Sequence, residues 1–192
     1  MIKMDIIGNS FTPAEFAIYV KSLDLLNRGW TGQFCVLHNT SVPSLAQRPD
    51  GFTYQQMLNL ASYYRGLGWH AGPHLFVDDK AIWVFSPLNL PGVHSPSWNH
   101  VSYGVEQLGE YETEEYGGSV RGSAVRANAV AAMAILCHAV GIDSHSMRLH
   151  KEDPLTTHKS CPGHFCADTK EDIMDRVHDY IVEHFPAETK AT

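Results

Sequence analysis

Apolar positions along this chain alternate between a helical period and short continuous runs, and the changeovers divide it into helices and strands. Phe16, Val20 and Leu23 recur on one helical face, and Thr12-Pro13-Ala14-Glu15 ahead of them offers an N-cap, a proline at the first helical position and a capping-box glutamate. This predicts a first helix ending near Gly29. Phe34-Cys35-Val36-Leu37 is an unbroken apolar run, which reads as a central strand buried on both faces, with His38 at its C-terminal end facing a cleft. Thr53 and Gln56 form a second capping box that opens a helix through Leu58, Ala61 and Tyr64, closed by Gly66 and Gly68. His74 to Val77, the polar Asp78-Asp79-Lys80, and Ala81 to Val84 read as a hairpin.

Residues 86–100 carry Pro87, Pro91, Gly92 and Pro96 and are expected to form a long surface loop of the kind that usually serves function. Val101 to Leu108 reads as another buried strand, with Glu106 set in an apolar context. The alanine-rich run from about Ser123 to Val140 is predicted helical and closes on Gly141. Residues 143–167 read as irregular and histidine-rich. A last helix starts from a cap at Asp168 or Thr169 and runs through Ile173, Val177 and Ile181 to Pro186. Strands interleaved with helices predict an α/β fold, a single domain with a central mixed β-sheet flanked by helices.

Composition narrows the function. At 192 residues and 44% hydrophobic the chain suits one core. A net charge of -7 with no Lys/Arg cluster speaks against nucleic acid as a partner, and no run reaches the roughly 20 apolar residues of a membrane helix. No apolar export segment opens the sequence, so synthesis in the cytoplasm is expected, with Cys35, Cys137, Cys161 and Cys166 as thiols. No glycine fingerprint of a nucleotide enzyme is present. Twelve histidines turn attention to metal or acid/base chemistry.

A hydrolytic zinc site needs three protein ligands and one open position. Candidates are the strand-end His38 and the late cluster from Arg148-Leu149-His150 to His158-Lys159-Ser160-Cys161. Spacing alone leaves the ligand set open. No pair has the i, i+4 helical spacing of the stronger zinc signatures, and His158 competes for a place.

Four segments carry more: HNT at 38–40, GWHAGPHLFVDD at 68–79, NHVSYGVEQLGEY at 99–111 and LHKEDPLTTHKSCPGH at 149–164. In order and spacing they resemble the motifs of the zinc-dependent N-acetylmuramoyl-L-alanine amidases. That family includes phage lysozymes of the amidase type, cytoplasmic muropeptide-recycling amidases and peptidoglycan recognition proteins. The resemblance implies a peptidoglycan-recognition-protein-like fold over 30–186, with 1–29 as an amino-terminal helical extension and 187–192 as a tail. It implies one zinc ion on His38, His150 and Cys161, Glu106 as general base and Lys159 supporting the oxyanion. His94 and Asn99 would lie against the substrate. Where some phage members carry a catalytic tyrosine this chain has Pro73, which cannot relay a proton, so the proton chemistry would fall on Glu106.

The implied activity is cleavage of the amide between N-acetylmuramic acid and L-alanine in peptidoglycan, by a monomer. A phage or prophage endolysin reaching the wall through a membrane lesion is the leading biological setting. A cytosolic recycling amidase, a zinc peptidase acting within the stem peptide and a non-catalytic peptidoglycan-binding module are the alternatives. The last typically lacks the cysteine ligand, and Cys161 is present.

Overall fold

The computed structural model describes residues 4, 6–114 and 116–186, so the expected tail at 187–192 lies outside the described residues. A six-stranded mixed sheet has the order β1 (Asn9–Phe11), β4 (Ile82–Val84), β3 (Leu75–Val77), β5 (Ser102–Gln107), β2 (Phe34–Asn39) and β6 (Arg148–Leu149). β3, β5, β2 and β6 run parallel, while β4 and β1 are antiparallel additions at one edge.

Side chains alternate across a strand, so register sorts them between two faces. Cys35, Leu37, Leu75, Val77, Val84, Tyr103 and Val105 share one face and are buried. The long helix α3 (Val120–Val140) lies on this face against β3, β4 and β5, and in turn carries α1 (Pro13–Leu23) and α4 (Lys170–His184). By length and mean hydropathy α3 could cross a membrane, yet 56% of its most apolar stretch is buried in the core. Small residues such as Ala129, Ala132 and Ala134, spread around its buried length, let it pack closely between the sheet and the other helices. The opposite face presents Val36, His38, Phe76, Gly104 and Glu106, and α2 (Tyr54–Gly66) stands over part of it.

Both predicted capping boxes form, Thr12 with Glu15 and Thr53 with Gln56. Each contributes about 1 kcal/mol to its helix. The first helix stops earlier than expected, at Leu23, because Asp24 adopts a left-handed conformation (φ 49°) and the chain continues as a tight turn over Leu25–Asn27. The amino-terminal segment is also more than a helical extension. It supplies the edge strand β1, and Phe16 and Val20 enter the same core as the sheet. β1 spans three residues, Asn-Ser-Phe, with no alternation to announce it. Likewise β6, two residues long, lies within the stretch read as irregular. β2 sits between β5 and this short β6, one strand from the edge.

Candidate metal centre

Strand register builds the centre. Leu37 of β2 pairs with Leu149 of β6, so the residue after each, His38 within β2 and His150 just past the end of β6, emerges side by side with ring centroids 4.4 Å apart. Cys161 is brought in by its backbone, whose carbonyl accepts from the Lys151 N–H at 2.8 Å. His38, His150 and Cys161 then offer three ligand atoms all within 4.8 Å of one another, the one such cluster among the described residues. His38 Nδ1 and Cys161 Sγ stand 4.0 Å apart. Tetrahedral zinc with bonds of 2.0–2.3 Å spaces its ligands by about 3.5 Å, so His38 Nδ1 and Cys161 Sγ need close by only about half an ångström and no pair by more than about 1.3 Å. Two imidazoles and a thiol form a donor set of the zinc type.

Hydrogen bonds behind the histidines favour the same use. His94 Nε2 lies 3.3 Å from the Ser102 carbonyl, which can only accept, so Nε2 carries the proton and Nδ1 is an acceptor. That Nδ1 is 3.1 Å from His38 Nε2, which therefore donates to it and leaves the His38 Nδ1 lone pair facing Cys161. His150 Nε2 meets the Thr156 hydroxyl at 2.9 Å, which leaves its Nδ1 for a ligand role. Burial holds His38 well below the usual histidine range and pushes His150 down to about 4 and His94 to about 3. All three are neutral at pH 7, as coordination requires. Burial, with Glu106 nearby, raises the Cys161 thiol, a shift that a bound cation opposes.

Glu106 is the register partner of His38 on the neighbouring strand, on the same face. Burial pushes its carboxyl up to about 8. It also lines a cavity of about 400 Å³ between α2 and the 40–52 segment, together with Thr40, Arg48, Asn59, Tyr63 and Tyr64. Lys159 is exposed, with Nζ donating to the Asp153 carbonyl at 3.1 Å, and its charge helps depress His150.

His94 and Asn99 occupy positions unlike those expected for groove residues. Both His94 ring nitrogens are engaged by protein groups, and its ring fills the space over Gly104, where a Cβ would come within 2.5 Å of His94 Cγ. Asn99 Oδ1 accepts from the backbone N–H groups of His94 and Ser95 at 2.7 and 2.8 Å, fixing the turn that carries His94. Both therefore support His38 from behind. His158 stacks on His150 from the outside, with centroids 5.4 Å apart, and stands outside the triplet. His74 is fully buried and bonded to the Gly104 N–H and the Leu90 carbonyl, a core role.

Asp153 and Thr156, which the sequence reading did not single out, hold the residues of the cluster in place. The buried Asp153 carboxylate accepts from both Ser95 Oγ and Ser97 Oγ at 2.5 Å and from the Ser97 N–H at 2.9 Å. Burial works against its charge, but these bonds bring its pKa down to about 2. It ties the 86–101 loop, which carries His94, to the segment that carries His150 and Cys161. The Asp153-Pro154 turn signal was visible in the sequence, but partners more than fifty residues away were not.

Comparison with known proteins bears on the family and the fold. The family model described as N-acetylmuramoyl-L-alanine amidase matches residues 29–164. Among solved structures, the N-acetylmuramoyl-L-alanine amidase LysC from Clostridium intestinale URNW superposes with a TM-score of 0.60 at 20% identity, covering 78% of this chain and 89% of that one. The endolysine N-acetylmuramoyl-L-alanine amidase LysCS from the same organism gives 0.58 at 20% identity, over 76% and 86%. Drosophila PGRP-LB gives 0.58 at 18% identity, over 73% and 80%. No curated protein matches by sequence comparison. At these identities the structural likeness speaks for the fold, that of the amidases and the peptidoglycan recognition proteins.

Proposed function

The chain belongs to the N-acetylmuramoyl-L-alanine amidase family, and from that premise we propose that it is a zinc hydrolase cleaving the amide between N-acetylmuramic acid and L-alanine of peptidoglycan. The observation that carries the reading is the convergence of His38, His150 and Cys161, with Glu106 one strand away. His38, through Nδ1, His150 and Cys161 would hold the ion. Zinc, when bound, supplies Lewis acidity toward a carbonyl oxygen and makes water more acidic.

The remaining chemistry belongs to the chain. Glu106 takes the proton of the water that adds to the lactyl carbonyl carbon. The C–N bond then breaks as Glu106 returns the proton to the departing L-alanine nitrogen, and the second proton of the water passes from the new lactyl carboxylic acid to the amine, leaving a carboxylate on the sugar's lactyl group and an ammonium on the peptide. Burial alone favours protonated Glu106, and a divalent cation held beside it favours the carboxylate that a base must be. The Lys159 ammonium supports the developing negative charge on the carbonyl oxygen. His94, Asn99, Thr156 and Asp153 hold the ligands in place.

The biological setting we propose is a phage or prophage endolysin, released to the wall through a membrane lesion. Its support is the likeness to LysCS, an endolysine N-acetylmuramoyl-L-alanine amidase. Incubation with purified sacculi and mass analysis of the released fragments tests both levels. The expected products are intact glycan and peptides with a new amino-terminal L-alanine, with activity lost in chelator and regained with zinc. Glu106→Gln and Cys161→Ala should each lower the rate by about two to four orders of magnitude; full activity in either folded variant would sink the assignment. Cleavage inside the stem peptide would identify a peptidase, binding without cleavage a recognition module, and hydrolysis of small muropeptides alone a recycling enzyme.

A further inference from the structure

Gln107 ends β5 fully buried, on the sheet face it shares with Tyr103 and Val105 toward α3. A buried amide is costly unless its donors and acceptor are met, and an apolar side chain of the same length would fill the space without that cost. Three groups meet it here. The His38 carbonyl lies 3.2 Å from Nε2 and can only accept, which fixes the amide with its NH2 toward β2. Oε1 is left to the Tyr116 hydroxyl, which donates to it at 2.5 Å. The Cys166 sulfur, 3.6 Å from Nε2, is a weak second acceptor. Tyr116 is itself held by the Tyr111 ring, edge-on with centroids 4.7 Å apart, and by the Arg126 guanidinium 5.5 Å from its ring centre.

The carbonyl that Gln107 grips belongs to the peptide group joining His38 to Asn39. Along a strand, successive N–H groups point to opposite neighbours. The Thr40 N–H donates toward β5, to the Gln107 carbonyl at 2.8 Å, so the Asn39 N–H points the other way, where it meets the Cys161 sulfur. One peptide group therefore has its oxygen on Gln107 and its N–H on a residue of the metal cluster, and it adjoins the His38 Cα. Hydrogen bonds in series polarise one another, so the amide strengthens the contact at the sulfur. Strand pairing does not depend on this side chain. The Thr40 N–H bond, Asn39 Nδ2 to the Gly109 carbonyl at 3.1 Å and the Gly109 N–H to Thr40 Oγ1 at 3.0 Å already tie the end of β2 to 107–109.

We propose that Gln107, oriented by Tyr116, is a positioning residue for the metal centre, acting through the His38–Asn39 peptide group to set where His38 and the Cys161 sulfur stand toward the ion. The inference rests on the zinc reading of His38, His150 and Cys161. His94 acts on the His38 ring from one side of the sheet, and Gln107 acts on the His38 backbone from the other. Hydrogen bonds at a coordinating sulfur also tune how it binds the metal.

The test reads zinc affinity, by competition with a chromophoric chelator, and the spectrum of cobalt(II)-substituted protein, whose sulfur-to-metal charge-transfer band reports on Cys161. Gln107→Met keeps the length and the fill but has no N–H to donate. Tyr116→Phe keeps the ring and removes the donor that orients the amide. Gln107→Met should weaken zinc binding about tenfold and displace the charge-transfer band, and Tyr116→Phe should weaken it about threefold with a displacement in the same direction. Val177→Ala truncates a buried residue of α4, which α3 carries, and should lower stability while leaving both readings at their wild-type values. Unchanged affinity and spectrum in folded Gln107→Met overturn the proposal, as do equal changes in Val177→Ala, which would mark a general effect of stability. If Gln107→Met does not fold, Tyr116→Phe decides by the same two readings. Failure of wild type to take up either metal overturns the metal centre and this proposal with it. Zinc uptake without cleavage of muropeptides overturns the amidase reading alone, and the affinities still decide Gln107.

Discussion

His94 determines which nitrogen His38 offers to a metal. Its Nδ1 takes the proton of His38 Nε2 because its own Nε2–H is committed to the Ser102 carbonyl. Replacing the ring by phenyl keeps the volume above Gly104 but removes the acceptor, so His38 is free to tilt or to carry its proton on the wrong nitrogen. His94→Phe should therefore weaken zinc binding about 10- to 100-fold with the fold intact. Competition with a chromophoric chelator measures this, and unchanged affinity would show that the relay does not set the ligand geometry. At this scale the sequence points to His38 as a polar residue closing an apolar run. It says less about His94, whose expected contact with substrate came from the family resemblance alone. Its actual partners are set by register between β5 and β2, which pattern along one chain does not reveal.

Among elements, the junction between the 86–101 loop and the 150–163 segment depends on one carboxylate. Asp153 is held near 2 in the fold, against about 3.9 in an unfolded chain. A group depressed in this way stabilises the fold fully above about pH 4, and the contribution fades as pH falls through 2. It amounts to about 2 kcal/mol. Wild type should lose urea resistance between pH 4 and pH 2 beyond what Asp153→Asn loses, and the variant should be the less stable at pH 7. Parallel acid limbs in the two proteins would count against this role. The helices and their caps were legible because each is a local pattern of a dozen residues. The hairpin and the two long parallel strands were legible as apolar runs. β1 and β6 were not, since three and two residues paired to distant strands carry no periodicity of their own. The link from Asp153 to the serines is likewise tertiary.

For the whole molecule, the three proposed ligands come from two regions of the chain more than a hundred residues apart, so a bound ion joins the β2 end to the carboxy-terminal third. An ion that binds the folded state alone stabilises it by mass action, about 2.7 kcal/mol at a free concentration one hundred times Kd. In a chain of this length that corresponds to a rise in Tm of roughly 5–10 °C. Melting curves with zinc and with excess chelator should differ by about this much in wild type and converge in Cys161→Ala; identical curves in wild type would contradict a resident ion. The cavity beside Glu106 has a consequence of another kind. Because Arg121, Glu114 and Asp78 hydrogen-bond to the 40–52 segment and immobilise that wall, a ligand entering the cavity has little chain left to order. Its association then runs at the ordinary docking rate of about 10⁵–10⁷ M⁻¹s⁻¹, without a slow step of loop closure. Differences in affinity among ligands of this cavity should consequently be expressed in how long each remains bound.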